Sequence, residues 1–230
     1  MAFGRGLDTI PTCVDADTFS DFTAATLISI NVYAVKKKFD IFSGRIYGFG
    51  DMIQVLGYKG TSKLSLAIRL LTYSEYSHIA LQFTEELEVE FRNKIVIIPA
   101  GTVFEAWAGG VRMAATASEN HKERTRVDAF QLIQPLSRLK EKQVARFLLG
   151  NVGKAYDYLN VIRFLPIVRL IVPRPASMFH NRNHVFCSEL ALEAFATVNR
   201  PLLVRCNNWE VPPRDPPRSP LLRPVGSFTT

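Results

Sequence analysis

An α+β fold, with an antiparallel sheet packed against helices, is what this sequence predicts, on three observations. Segments with alternating or fully apolar character cluster in the middle of the chain. Helical patterns stand before and after that block. The regular strand–helix alternation of a doubly wound sheet is missing. With 230 residues, 47% hydrophobic and 21% charged, the chain is long enough for one good-sized core and too apolar for wholesale disorder.

Residues 1–45 read as an N-terminal arm or extension that carries an apolar run over 24–35 and then Lys36-Lys37-Lys38. Residues 46–222 read as the main domain, and 223–230 as a tail. The glycine-punctuated stretch 47–60 holds a short strand near 52–56. Over 62–71 the pattern predicts a helix capped by Ser62, with Leu64, Ile68 and Leu71 on one face. Strands follow at 78–83, 95–98, 102–107 and 127–133. A helix over 136–149 places Leu139, Val144, Phe147 and Leu148 on or near one face, and a second helix spans 186–198. Between them, the apolar segment 159–172 is broken by Arg163, Pro166 and Arg169, so it reads as a buried or interfacial helix and not a membrane span. From Val211 on, Pro212, Pro213, Pro216, Pro217 and Pro220 exclude regular helix or central strand, and the chain is expected to run extended across the domain.

The formal net charge of +7 favours an anionic partner such as a cell-wall polymer or a membrane surface. Only Cys13, Cys187 and Cys206 are present, with no Cys-x-x-Cys pair, so free thiols in a reducing compartment are expected rather than a disulfide framework. The early acidic residues Asp8, Asp15 and Asp17 do not fit a secretory signal. A cytoplasmic protein, or one delivered by lysis or in a virion, is the resulting expectation.

Three residues have the chemistry of a nucleophilic site. Cys187 starts a helix, with Leu190, Ala191, Ala194, Phe195 and Val198 spaced along one face, so its sulfur points to the packed side from the first turn. Free N–H groups and partial positive charge at a helix N-terminus favour an anion there and offer donors to an oxyanion. The plain alternative is a buried core cysteine. His78 shares a strand face with Ala80 and Gln82, from which an imidazole can take a thiol proton, unless it is a satisfied structural histidine. Glu105, flanked by Phe104 and Trp107, is costly to bury unpaired. It either orients His78 from a neighbouring strand or faces water on an edge.

The order of motifs carries a family resemblance. Gly50-Asp51-Met52-Ile53 comes first, then Tyr73-Ser74-Glu75-Tyr76-Ser77-His78, then Phe104-Glu105-Ala106 with Gly110-Val111. Gly153-Lys154-Ala155-Tyr156-Asp157-Tyr158 and Phe186-Cys187-Ser188-Glu189-Leu190 complete the set, and the ending from Pro212 to Pro220 is also similar. The set resembles the circularly permuted papain-like enzymes of the NlpC/P60 superfamily, in particular the YiiX/YebB-like branch, over roughly residues 47–222. The resemblance implies a permuted papain-like fold in which histidine precedes cysteine along the chain. It implies Cys187 as nucleophile, His78 as general base and Glu105 as the orienting residue, with Tyr76, Tyr156 and Asp157 near the substrate. It further implies a thioester acyl-enzyme and no metal or organic cofactor. The expected substrate is a peptide-like amide, peptidoglycan among the options, or a lipid-like ester as in lecithin:retinol acyltransferase-like relatives. The arm 1–45 has no counterpart in the resemblance.

Two non-enzymatic readings compete. His180, His184, Cys187 and Cys206 have ligand-like spacing for zinc, although Asn181-Arg182-Asn183 reads as loop. Lys36-Lys37-Lys38 with Arg214, Arg218 and Arg223 supplies charge for nucleic acid. No recognisable motif accompanies it, and nucleic acid is not the expected partner.

Overall fold

The computed structural model describes residues 52–119, 121, 124–158, 183–204, 207–208 and 211–230. The expected arm 1–45, the apolar segment 159–172, Asp51, His180, Cys13 and Cys206 lie outside these residues. In chain order the elements are β1 (Ile53–Lys59), α1 (Lys63–Leu71), β2 (His78–Phe83), β3 (Leu87–Phe91), β4 (Lys94–Ile98), β5 (Val103–Trp107), β6 (Gly110–Ala114), β7 (Arg126–Leu132), α2 (Arg138–Asn151), β8 (Ala155–Tyr156), β9 (His184–Val185), α3 (Cys187–Ala196) and β10 (Leu222–Thr229).

Six strands make one antiparallel sheet in the order β10-β7-β1-β2-β5-β6, an α+β arrangement. Alternation explains it. Val55, Ile79, Leu81, Phe83 and Phe104 face one side, where they meet Val144 and Leu148 of α2 and Leu190, Ala194 and Phe195 of α3. Each fully buried side chain of this size contributes about 1.5–3 kcal/mol. Leu56, Tyr58, Ala80, Val103 and Val127 form a smaller cluster on the opposite face. Both faces of β1 and β2 are therefore covered, and these strands read as nearly continuous apolar runs. Among the described residues no helix is long and apolar enough to cross a membrane.

Several local expectations hold. Ser62 caps α1, its side chain accepting from the Ser65 N–H at 3.0 Å. The strand near 52–56 is longer than expected and runs to Lys59, because β2 and β7 flank it on both sides. Others are corrected. The helix over 138–151 buries Glu141, Val144, Ala145, Leu148 and Asn151, whereas Leu139 is exposed. The inward row follows i, i+3, i+4, i+7, and a buried Glu141 accepting the Met52 N–H at 3.1 Å occupies a place that an apolar count assigns elsewhere. Leu87, Val89 and Phe91 alternate in β3, a strand additional to those the sequence pattern predicts. It pairs with β4 through a two-residue turn in which Arg92 and Asn93 both have positive φ.

Residues 223–230 are not a separate tail. They lie in β10, an edge strand paired with β7, and Pro224 is tolerated there because the register shifts between Pro224 and Gly226 and no further strand needs its missing N–H. Asp128 of β7 ties this edge to the interior. It accepts from Ser227 Oγ at 2.6 Å, Tyr76 Oη at 3.0 Å and Arg126 Nε at 3.1 Å, and pairs with Lys59 Nζ at 2.8 Å. Burial alone raises a carboxyl pKa. Here the bonds from Lys59, Ser227, Tyr76 and Arg126 reverse that and hold Asp128 well below the usual range. Tyr76 is consumed by this network, packs edge-on against Phe130 and is 4% exposed. It is a core residue, not a lining of the substrate mouth.

Candidate active site

Strand register brings the acidic and basic groups together. Glu105 on β5 lies opposite Ala80 on β2 and opposite Arg112 on β6. Ala80 is too small to separate Glu105 from His78, the next residue on that face. His78 Nε2 is 2.8 Å from Glu105 Oε2, and Arg112 donates from Nε and Nη2 to Oε1 at 2.9 and 2.5 Å. Burial alone disfavours the Glu105 carboxylate, but bonds from His121, His78 and Arg112 hold its pKa well below the ordinary range. Glu105 is 1% exposed, so it is a buried charge with matched partners rather than a residue on an open edge.

Cys187 begins α3, which packs on β2 and β5, and its thiol lies beside His78. With Nε2 on Glu105, the nitrogen left for sulfur is Nδ1. Burial pushes the His78 pKa down. The interactions with Cys187 and Glu105 outweigh it and raise the value to about 9. His78 is thus an imidazolium at neutral pH, flanked by sulfur on one side and carboxylate on the other.

A short parallel pair delivers the third neighbour. In β8 and β9, Ala155 pairs with His184 and Tyr156 with Val185, so Tyr156 sits two residues from Cys187 across the ladder. Burial, then the hydrogen bond and charge of Cys187, pushes the Tyr156 hydroxyl well above its ordinary value. This pair docks on β6 through Val111 N–H to Lys154 O and Gly153 N–H to Val111 O, both 2.8 Å. Gly110 permits the approach. Its φ is +110°, and a Cβ there would meet the Lys154 carbonyl oxygen. Gly110→Ala is expected to cost at least about 2 kcal/mol in urea denaturation and to displace Tyr156 from Cys187, read as a change in near-ultraviolet circular dichroism.

A cleft of about 250 Å³ lies beside these groups, between α1 and the β5–β6 edge of the sheet. His78, His121, Tyr156 and Tyr158 line it, together with the apolar Leu64, Ile68 and Trp107. Cys187 is 2% exposed and is not part of this lining, whereas His78 and Tyr156 are. Asp157 is also buried and does not line the cleft. Its N–H donates to Val185 O at 3.2 Å, which makes it part of the β8–β9 junction rather than of the substrate surface.

His121 was not singled out in the sequence. It stands in an irregular stretch where no periodicity signals a site, yet its Nε2 is 3.2 Å from the same Glu105 oxygen that His78 uses. Its ring stacks on Tyr58 at 4.0 Å and meets Trp107 edge-on at 4.9 Å. His78, Glu105 and His121 form a group whose ligand atoms all lie within 4.8 Å of one another.

Glu189 is another buried acid, 1% exposed, with its Oε2 accepting the Phe186 N–H at 3.3 Å. α3 is enclosed on all sides, since Ser188 also donates to Val211 O at 2.6 Å. Burial, with the nearby charge of Glu193, raises the Glu189 pKa to about 8. Between the unfolded value near 4.3 and about 8 the folded chain holds a proton that the unfolded chain has lost. That contribution is therefore complete below about pH 4, declines by roughly 1 kcal/mol per pH unit across the window, and is gone above about pH 8. Glu189→Gln is expected to remove this slope, so that its stability relative to the parent rises between pH 5 and 9. Urea denaturation at pH 5, 7 and 9 measures it, and a constant difference contradicts the assignment.

No protein-family model matches this chain, and no curated protein matches it. The structure is similar to the crystal structure of metalloprotein yiiX from Escherichia coli O157:H7, at 17% sequence identity and a TM-score of 0.49, over 78% of this chain and 98% of that one. That protein is of the YiiX-like branch whose motif order the sequence resembles.

Proposed function

We propose that this chain is a cysteine hydrolase of the permuted papain-like type, acting on amide or ester acyl groups through a thioester. The single observation that carries the reading is His78, buried beside the Cys187 thiol with its Nε2 2.8 Å from Glu105 Oε2. His78, as imidazolium, holds the sulfur's proton on Nδ1, and the sulfur attacks the substrate carbonyl. The backbone N–H of Cys187, at the start of α3, helps to stabilise the oxyanion. The Nδ1 proton then goes to the leaving group, and the neutral imidazole activates the water that resolves the thioester. Glu105 keeps Nε2 protonated and balances the imidazolium. That His78 precedes Cys187 along the chain supports the permuted arrangement, because the roles follow geometry and not chain order.

Tyr156 takes a substrate-side role, since it lines the cleft and touches the nucleophile. Peptide-like amides, cell-wall stem peptides among them, are the first substrate class. A lipid-like acyl chain is the second, favoured by the apolar lining, which includes the exposed Leu64 of α1. The test is mass-spectrometric trapping of the acyl-enzyme with peptidoglycan fragments, phospholipid vesicles and a small activated ester. The reading expects a covalent adduct on Cys187 from at least one of the three. Activated-ester labelling spread equally over all three cysteines, with no adduct from either natural class, overturns it.

A further inference from the structure

We propose that His78, Glu105 and His121 form a binding site for a divalent transition-metal ion such as Zn²⁺, and that filling it disables His78 as a proton carrier. The argument starts from one oxygen. Glu105 Oε2 faces two imidazole Nε2 atoms, at 2.8 Å from His78 and 3.2 Å from His121. In a tetrahedral site with bonds of about 2 Å, neighbouring ligand atoms stand about 3.3 Å apart. The two oxygen-to-nitrogen spacings are within about half an ångström of that, and all three ligand atoms lie within 4.8 Å of one another, so they are already gathered around one point. Two nitrogens and one carboxylate oxygen suit zinc, cobalt or nickel and not magnesium or calcium.

The surroundings hold the three ligands in place. Arg112 occupies the other oxygen of Glu105 and leaves Oε2 pointing at the histidines. Tyr58 stacks on His121, and Trp107 meets both imidazoles edge-on at 5.2 and 4.9 Å. Such groups orient metal ligands in other sites. Entry is open, since His78 and His121 both line the cleft, and a fourth ligand position can face that space. The Arg112 charge weakens the binding of a cation, so a moderate affinity is expected rather than that of a structural zinc site.

The consequence for chemistry follows from proton counting and rests on the hydrolase reading. An ion on Nε2 replaces the proton that Glu105 now accepts. His78 then keeps its one remaining proton on Nδ1, the nitrogen facing Cys187. With Nε2 on the ion and Nδ1 protonated, neither ring nitrogen has a lone pair left to accept a proton, and donating the Nδ1 proton would leave an imidazolate. Metal-bound His78 therefore serves neither half of the acyl-transfer cycle.

The experiment uses the full chain, stripped by a chelator and titrated with Co²⁺ and Zn²⁺. Visible absorption and calorimetry read the binding, independent of turnover. One equivalent of saturable binding is expected, with His121→Ala and His121→Gln each weakening it at least tenfold and Cys187→Ser and His184→Ala leaving it unchanged. Circular dichroism of the two His121 variants identifies any loss due to unfolding, and the glutamine variant keeps most of the ring's volume. Zn²⁺ should also suppress acylation of Cys187 over the same concentration range. Unchanged affinity in both His121 variants, an absence of saturable binding, or a sulfur-to-cobalt band lost in Cys187→Ser overturns the site. Acylation by metal-free protein with no metal binding removes this inference and leaves the hydrolase. Metal binding without any acylation does the reverse.

Discussion

Replacing Cys187 with alanine is expected to abolish the acyl-enzyme and to lower hydrolysis by at least about 10³-fold, while the fold survives. Among the described residues Cys187 carries the one thiol, a group that can form and then release an acyl bond, and the Tyr156 hydroxyl beside it is held protonated by burial and by the charge of Cys187. The substitution removes one buried atom from the first turn of α3 and leaves Leu190, Ala191, Ala194 and Phe195 packed against the sheet. The stability cost is therefore about 1 kcal/mol. Active-site labelling with a thiol-directed electrophile, together with urea denaturation of the same sample, separates the two effects. A variant that is folded and retains more than a tenth of the parent rate shows that Cys187 is a core cysteine and not a nucleophile.

Glu105→Gln is expected to be damaging in both stability and rate. The parent carboxylate accepts four bonds, two from Arg112 on Oε1 and one each from His78 and His121 on Oε2. An amide keeps one acceptor oxygen and turns the other atom into a donor. Whichever way it is placed, an NH₂ group confronts either the guanidinium or the two imidazoles, and the balancing negative charge is gone. Breaking a buried pair by neutralising one partner costs about 3–5 kcal/mol. Since Arg112 is partly open to solvent, the lower end of that range is the expectation. For the reaction, His78 loses the partner that fixes its Nε2 proton, and a fall of about 10²–10⁴ in turnover is expected. Denaturant titration and single-turnover acylation on the folded fraction measure the two parts. A variant as stable and as fast as the parent removes Glu105 from the site.

Much of the architecture is legible in local pattern. The segment His78 to Phe83 alternates, Ser62 stands one residue before a helical row, and the row after Cys187 repeats at helical spacing; all three become the expected elements. These signals are strong because each is repeated within one element and packed against one neighbour. The weaker ones fail for stated reasons. β8 and β9 are two residues each, too short for any period, and exist because they pair with each other from distant parts of the chain. β10 carries a proline and a glycine, which argue against a strand until β7 supplies the partner. Tyr76 looks like a residue of the mouth from its place beside His78, but its hydroxyl donates to the Asp128 carboxylate and its ring lies in the core.

The identities of Cys187, His78 and Glu105, and their placement on a helix start and two strands, were determined by the sequence alone, because alternation and helical spacing set which way a side chain leaves its own backbone. Which groups meet was decided only by the tertiary structure. The registers of β2, β5 and β6 place Glu105 between His78 and Arg112, and an irregular stretch with no period of its own brings His121 to the same oxygen. A hydrogen-bond partner is chosen by distance in space, and the sequence separations of 27, 7 and 16 residues around Glu105 bear no relation to those distances.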